Sequence, residues 1–264
     1  MTTNLINNKY KIIEKLGAGC FGEIYKGENI RTQEHVAIKV EPIINNLKLL
    51  KNESVVYQYL VGTTGVPNVK WFGKDNINYY MVLNLLGSSL QTLLNSKKTF
   101  SLKLVLQVSL QIISILQCIH DKGLVHRDIK PDNFLLGKND TNKKQIYIID
   151  FGFCKSIANV INAKKTTGLI GSLTYASLNA HNYTELSYCD DLESLGYMLI
   201  YFYQGELEWQ KTEDVGAIIQ MKKDIVNNEK VPTVLRDFLK CVSNMGFKEQ
   251  PNYNSLISLL KREK

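Results

Sequence analysis

The stretch HRDIKPDNFLL (residues 126–136), followed after a polar spacer by IYIIDFG (residues 146–152), decides the fold of this chain. The two apolar runs have the length and composition of short strands, and the turn-rich spacer between them is typical of a hairpin loop. Folding this hairpin would bring Asn133 beside Asp150. An amide oxygen and a carboxylate oxygen would then face one point, which suits a hard divalent cation.

Two further side chains of the same stretch are available for chemistry. Asp128 would be free to accept a proton, and Lys130 would meet a negative charge. We interpret His126 as a packed structural histidine. No role is assigned to the remaining histidines, His35, His120 and His181.

Length and composition limit the class of protein. The chain has 264 residues, of which 44% are hydrophobic and 22% charged, as in an ordinary soluble domain. Its longest apolar run, 102–120, is interrupted by polar residues, and its N-terminus lacks the features of a signal peptide. The five cysteines show no paired spacing, which favours free thiols. We therefore expect no membrane segment and a location in the cytoplasm or nucleus.

The net charge of +7 indicates a basic surface. Such a surface is either simply solvated, as in any soluble protein, or attracts acidic substrates and phosphate. The basic residues occur in scattered pairs and are not interleaved with aromatic residues. Nucleic-acid binding is therefore not expected.

A glycine-rich string, LGAGCFGEI (residues 16–24), lies within a region, 10–40, that alternates in the manner of strands. The pattern G-x-G-x-x-G is a weak signal by itself, because in dinucleotide-binding folds it opens a helix. Here residues 23–27 have the pattern of a second strand, so the string predicts a hairpin with Cys20 at its tip. Glycine suits a backbone that approaches a ligand closely.

An ion pair is predicted between Lys39, on the strand 36–40, and Glu53, on a helix over 45–60. Glu53 is the only charged member of an apolar stripe, and a carboxylate that faces a core needs a cationic partner. Glu41, two residues along the strand from Lys39, is the competing partner. The stripe consists of Leu49, Glu53, Val56 and Leu60.

The pattern of elements divides the chain into two lobes. Strands at 69–73 and 78–83 would complete a strand-rich first lobe of about residues 1–83, and a hinge at about 84–88 would lead into a helical second lobe of about 89–264. Helices are predicted at 90–95, 102–120, 191–203, 213–227, 233–243 and 252–261. Ser101 and Gly123 would bound the second of these, and Gly205 would end the third.

These motifs resemble those of protein kinases, and three strings resemble the casein kinase 1 family closely. The strings are HRDIKPDNFL (126–135), YASLNAH (175–181) and DDLESLGY (190–197). The resemblance covers roughly residues 10–261. It implies an α+β, two-lobed protein-kinase fold, with an antiparallel β-sheet N-lobe plus one helix and a mainly α-helical C-lobe. It further implies a monomeric Ser/Thr protein kinase that uses ATP and Mg²⁺ and acts on acidic or already phosphorylated proteins.

The resemblance also implies roles for single residues. Asp128 would orient the substrate hydroxyl and take its proton, and Lys130 would neutralise charge on the transferred phosphoryl group. Asn133 and Asp150 would hold magnesium. Asp191, at the start of its helix, would anchor the backbone of the catalytic loop.

The nucleotide would be bound mainly by residues of the first lobe. Lys39, positioned by Glu53, would hold the α- and β-phosphates, and backbone groups of Asn84 and Leu86 would meet adenine. The other residues expected around ATP are Leu16, Gly17, Ala18, Gly19, Gly22, Ile24, Ala37, Leu83, Leu136 and Ile149.

The chain departs from the casein kinase 1 pattern at three positions, where arginines usually help to bind a phosphorylated substrate residue. The residues here are Thr174, Tyr188 and Cys189. Arginine suits phosphate because it binds two oxygens at once. Recognition of phosphorylated substrates is therefore open, with Lys222 and Lys223 as candidates to retain part of the anion site.

Two rival functions remain, a non-catalytic scaffold with a kinase fold and a kinase for a small molecule or lipid. The presence of every expected catalytic residue type argues against the first, and Lys130 beside Asp128 argues against the second and against tyrosine as acceptor.

Residues 153–177 would form an exposed activation segment. A phosphate on it could pair with Arg127, but the family generally needs no such switch. The candidate positions are Ser156, Thr166, Thr167 and Ser172.

Overall fold

The computed structural model describes residues 5–19, 22–43, 49–157 and 164–262. The chain divides into two compact units, Met1–Ser88 with Leu135–Gly152 and Ser89–Phe134 with Phe153–Lys264. We had assigned residues 135–152 to the second lobe, whereas they group with the first unit. The reason is backbone pairing, because Leu136 accepts a hydrogen bond from Gly87 N–H (2.8 Å) and its N–H donates to the carbonyl of Ser88 (3.0 Å).

The first unit is built on an antiparallel sheet with the strand order β1-β2-β3-β5-β4. One cluster of its core among the described residues consists of the buried side chains Tyr10, Val36, Ile38, Val40 and Val82. The strands are β1 (Tyr10–Gly19), β2 (Gly22–Asn29), β3 (His35–Pro42), β4 (Val69–Lys74) and β5 (Asn78–Asn84). The antiparallel, strand-rich character predicted for this part of the chain is confirmed.

The glycine-rich string lies in the hairpin between β1 and β2, as predicted, because Gly19 pairs with Gly22. Gly22 has a φ of +130°, and a Cβ atom there would lie 2.0 Å from the carbonyl oxygen of Val40 on β3. Only glycine fits this position. Cys20, predicted at the tip, is outside the described residues.

Helix α1 (Leu49–Tyr59) carries the predicted carboxylate, but its buried face differs from the predicted stripe. Leu49 and Val56 are only half-buried, because the buried face is centred on Glu53 and Tyr57. Residues 44–48, part of the predicted helix, lie outside the described chain. Glu41 accepts hydrogen bonds from the first backbone N–H groups of α1, at Leu49 and Leu50 (3.2 and 2.6 Å). It therefore caps the helix, whereas the ion pair that Lys39 forms with this helix is with Glu53, as the sequence predicted.

The second unit is mainly helical, as predicted. Its helices are α2 (Leu90–Lys97), α3 (Leu102–His120), α4 (Leu178–His181), α5 (Tyr188–Gln204), α6 (Val215–Asp224), α7 (Thr233–Ser243) and α8 (Tyr253–Lys261). Helices α3 and α7 have the predicted bounds. Helix α5 begins three residues earlier than predicted, because Ser187 and Asp190 form a capping box before it, and Gly205 ends it in a left-handed conformation.

The described structure also contains four short strands and four short 3-10 helices. The strands are β6 (Leu124–Val125), β7 (Phe134–Leu136), β8 (Ile146–Ile148) and β9 (Lys155–Ser156). Strands β7 and β8 pair, which confirms the hairpin predicted from the opening stretch, and β6 pairs with β9 in the second unit.

By length and composition alone, helix α3 is apolar enough to span a membrane. This differs from the expectation from the sequence, which rested on the polar residues that interrupt this stretch. Half of this stretch is buried in the structure, and α3 packs against α5 and α8. Core helices of globular domains have the same composition, so this feature is weak evidence for a membrane span.

Asp191 in the first turn of α5 anchors the backbone of the catalytic loop, as predicted. Its carboxylate, 1% exposed, accepts hydrogen bonds from the N–H groups of His126 and Arg127 (both 2.8 Å) and contacts His120 Nε2 at 2.9 Å. Burial alone would raise the pKa of Asp191, but these partners outweigh it and hold the pKa below the usual 3.8. His120, to which we gave no role, also contacts the hydroxyl of Tyr253.

We predict that Asp191→Asn lowers the free energy of unfolding by about 3 kcal/mol at pH 7, because the amide offers one acceptor oxygen to several buried donors. The carboxylate's contribution is present above pH 3.8 and is lost as the pH falls below the depressed pKa, so the two proteins should converge in acid. Urea unfolding across pH measures this. Asp224→Asn, at an exposed position, is the control, and equal stability of Asp191→Asn and wild type at pH 7 would contradict the account.

Candidate active site

In the first unit, the ammonium group of Lys39 lies between two carboxylates. It is 2.7 Å from Glu53 Oε2, which confirms the predicted ion pair, and 2.8 Å from Asp150 Oδ1. The second contact was not predicted. Burial alone would lower the pKa of Lys39, but the two carboxylates outweigh it and the pKa is raised. The structure therefore holds a fixed cation on β3.

The partners of Lys39 are themselves held in place. Phe151 N–H donates to Glu53 Oε1 (3.2 Å), and Asp150 N–H donates to the hydroxyl of Tyr57 (3.3 Å). The Tyr57 ring packs edge-on against Phe151, with the ring centroids 4.9 Å apart. Sequence reasoning missed Tyr57, although its position four residues after Glu53 places it on the same helical face.

Asp128, in the second unit, has one oxygen in use and one without a partner. Its Oδ2 accepts hydrogen bonds from Lys130 Nζ (2.6 Å) and Asn133 Nδ2 (3.1 Å), and Asn133 also donates to the backbone carbonyl of Asp128 (2.8 Å). Within the described part of the chain, Asp128 Oδ1 is buried without a hydrogen-bond partner. A buried, unpaired acceptor is costly, and a donor from outside the chain would remove that cost.

The conformation before Asp128 is unusual. Arg127 has a φ of +69°, a left-handed conformation that side chains disfavour, and Asp150 in the other unit has a φ of +67°. Arg127 is held by Asp191 through its N–H and by the carbonyl of Phe153 through its Nε (2.6 Å). Strained residues of this kind cluster at functional sites, where surrounding contacts enforce them.

Glu185 supplies a negative charge to Arg127. Its carboxylate lies 3.5 Å from Arg127 Nη1 and 2.6 Å from Lys155 Nζ, and its N–H donates to the carbonyl of Lys164. Glu185 therefore links Lys155 and Lys164 of the activation segment to Arg127. We had considered a phosphorylated loop residue as the partner of Arg127, and sequence reasoning did not identify Glu185.

The positions that depart from the casein kinase 1 pattern form no cationic cluster. Tyr188 and Cys189 are buried, and the carbonyl of Thr174 accepts a hydrogen bond from Trp209 Nε1 (2.7 Å). Lys222 is 1% exposed and donates to backbone carbonyls, so the hypothesis that it retains part of an anion site is wrong. Lys223 is exposed.

Most of the residues predicted to surround the nucleotide lie on strands of the first unit, and their joint role in binding ATP stays a prediction. Ala37 on β3 pairs with Leu83 on β5, and Gly17 on β1 pairs with Ile24 on β2. The others lie as follows: Leu16, Ala18 and Gly19 on β1, Gly22 on β2, Asn84 at the end of β5, Leu86 after it, Leu136 on β7 and Ile149 after β8.

The proposed metal ligands belong to different units, Asn133 to the second and Asp150 to the first. Their shared ligation of magnesium stays a prediction. Among the described residues, no three His, Cys, Asp or Glu side chains form a metal cluster. The oxygens of one carboxylate and one amide still suit a hard divalent cation, especially one that also binds phosphate oxygens.

A family model described as a protein kinase domain matches residues 10–259. The chain belongs to the protein kinase family. Its antiparallel sheet with one helix and its helical unit are the two parts of the kinase fold. Membership implies phosphoryl transfer to proteins with ATP and a divalent metal, and the fixed cation Lys39 and the unpaired Asp128 oxygen fit that chemistry.

We predict that Lys39→Met lowers kcat/KM for phosphoryl transfer about 10²–10³-fold, because it removes the fixed cation that would face the phosphates. Lys26→Met on β2 is the matched control, since Lys26 forms only a surface ion pair with Glu14. Steady-state kinetics with purified variants measures both. Transfer by Lys39→Met at the rate of the control would remove Lys39 from the site.

Proposed function

We propose that this kinase is a Ser/Thr protein kinase resembling casein kinase 1, which transfers the γ-phosphoryl group of ATP to serine or threonine hydroxyls of acidic proteins. The observation that carries the proposal is the state of Asp128, whose buried Oδ1 has no partner among the described residues while Oδ2 is fixed. A substrate hydroxyl would supply the missing donor.

Asp128 acts as the proton acceptor in this mechanism. The contacts of Lys130 and Asn133 to Oδ2 fix the carboxylate, so that Oδ1 receives the hydrogen bond of the acceptor hydroxyl and then its proton. General-base help of this kind contributes about 10²–10⁴-fold to the rate. Lys130 also keeps a positive charge beside the reacting oxygen. ATP with Mg²⁺ supplies the phosphoryl group when bound.

The first unit would bind the nucleotide. Lys39, held by Glu53, would contact the α- and β-phosphates, and Asp150 together with Asn133 would supply oxygen ligands for Mg²⁺. At the adenine end, the N–H of Asn84 already donates to the carbonyl of Asn68 (3.4 Å). We therefore assign the backbone donor for adenine to Leu86.

Three features support protein hydroxyls as acceptors. The chain is a protein kinase by family, its catalytic-loop and activation-segment strings resemble casein kinase 1, and Lys130 contacts Asp128 directly. A scaffold without activity would have no need of a buried, unpaired carboxylate oxygen. An intracellular location and a monomeric state remain predictions from the sequence.

We predict that Asp128→Asn lowers the transfer rate about 10²–10⁴-fold and leaves the affinity for ATP unchanged, since the amide cannot take the proton. Labelled ATP, magnesium and casein measure transfer, and fluorescence titration measures nucleotide binding. Asp132→Asn, four residues along at an exposed position, is the matched control. Undiminished transfer by Asp128→Asn would refute its role as base, and nucleotide binding without transfer by wild type would favour a scaffold.

No special recognition of phosphorylated substrates belongs to the proposed function. The net charge is +7, but the positions that usually bind a substrate phosphate hold Thr174, Tyr188 and Cys189, and Lys222 is buried. We predict that replacing a peptide's phosphoserine by aspartate changes kcat/KM less than about threefold, because a surface charge pair contributes little. Peptide pairs matched in all other positions measure this. A tenfold or larger preference for phosphoserine would contradict it.

A further inference from the structure

Lys222 on α6 is a fully buried lysine that binds the end of the activation segment. Its ammonium donates to the carbonyls of Leu173 (3.1 Å) and Ala176 (2.6 Å). A buried cation needs polar partners. Backbone carbonyls are suitable acceptors, because substitutions of side chains do not remove them. The ammonium group thus holds two points of one short segment.

The surroundings of Lys222 favour its role as a donor. The ammonium lies 4.9 Å from the ring centroid of Tyr197 and 5.4 Å from that of Trp209, within cation–π range. Its third contact is His181 Nε2 at 3.0 Å. Burial and the nearby Lys222 lower the pKa of His181 to about 4, so the imidazole is neutral and can accept a hydrogen bond. Burial lowers the pKa of Lys222 to about 7, and the charge of Glu193 opposes that shift.

Trp209 adds a third fixed carbonyl to the same segment. Its Nε1–H donates to the carbonyl of Thr174 at 2.7 Å, between the two carbonyls that Lys222 holds. We call Lys222 and Trp209 the carbonyl clamp. Directly after the segment, Ser177 Oγ donates to Asp190 Oδ1 (2.6 Å), so the chain beyond it is fixed as well.

The clamped segment adjoins Asp128. Gly171, two residues before it, has a φ of +88°, and a Cβ atom there would lie 2.6 Å from the carbonyl oxygen of Arg127 and 3.7 Å from Asp128 Oδ1. Asp128, Gly171, Ser172 and Tyr175 line one small cavity. A displacement of residues 173–176 would therefore change the surroundings of the unpaired oxygen of Asp128.

We propose that the carbonyl clamp positions residues 173–176 to receive the acceptor protein beside Asp128, and that Lys222 and Trp209 thereby set the affinity for the acceptor without affecting ATP. The inference rests on the proposed function. Lys222 and Trp209 are positioning residues, because they act through the segment they hold and contact neither substrate.

The test compares Lys222→Met with Lys240→Met, which removes an exposed lysine of α7. Losing two charge-assisted hydrogen bonds should raise the KM for an acidic peptide about tenfold or more in Lys222→Met. Its KM for ATP and its slow hydrolysis of ATP without peptide should match those of Lys240→Met. Trp209→Phe keeps an aromatic ring but loses the N–H donor, and it should raise the peptide KM about threefold.

The outcomes separate this inference from the proposed function. If wild type transfers phosphate to no peptide, the proposed function fails and the clamp has no role in it. If wild type is active but folded Lys222→Met keeps the wild-type peptide KM, or loses affinity for ATP and peptide equally, the clamp is overturned and the proposed function stands. Should Lys222→Met not fold, Trp209→Phe decides, and an unchanged peptide KM in that variant overturns the proposal.

Discussion

The hydrogen bonds that the carboxylate of Asp191 accepts from the catalytic-loop backbone are the constraint on which the second unit depends. They hold His126 and Arg127 by their N–H groups, and they keep Arg127 in a left-handed conformation that an arginine would otherwise avoid. That conformation presents Asp128 with one oxygen fixed and the other unpaired among the described residues. These hydrogen bonds connect the catalytic loop to α5, a helix that is buried within the unit.

In the first unit, ion pairs hold the side chains of the proposed site in place. Lys39 is held between Glu53 and Asp150, and Asp150 also has a left-handed backbone. Removing one member of such a buried cluster leaves an uncompensated charge, so the three residues act as a unit. In both units a strained backbone position lies at or next to a carboxylate of the proposed mechanism, and buried side chains from distant helices enforce it.

The elements that could be predicted from the sequence are those whose signals are local. The apolar pattern predicted α3 and α7 with the bounds that the structure has, and the spacer predicted the β7–β8 hairpin. The pair of Lys39 and Glu53 followed from one charge on an apolar face. The buried face of α1 was misjudged, because Tyr57 has an aromatic ring that packs on Phe151 and a hydroxyl that serves Asp150.

The contacts that escaped prediction join residues far apart in the chain and carry no local signal. Lys222 was a candidate for the anion site, and His120, His181 and Glu185 were given no role. In the structure, His120 contacts Asp191, His181 contacts Lys222 and Glu185 contacts Arg127. A lone lysine, histidine or glutamate has the same appearance in a sequence whether it is solvated or buried. Only the tertiary fold decides which partner it meets.

The central claim is that Asp128 Oδ1 receives the acceptor hydroxyl. A crystal structure of the kinase with a non-hydrolysable ATP analogue, Mg²⁺ and a serine peptide tests it most directly. The account predicts the serine oxygen about 2.6–3.2 Å from Asp128 Oδ1, with Lys130 and Asn133 still on Oδ2. A serine hydroxyl bound away from Asp128, with Oδ1 still unpaired, would contradict it.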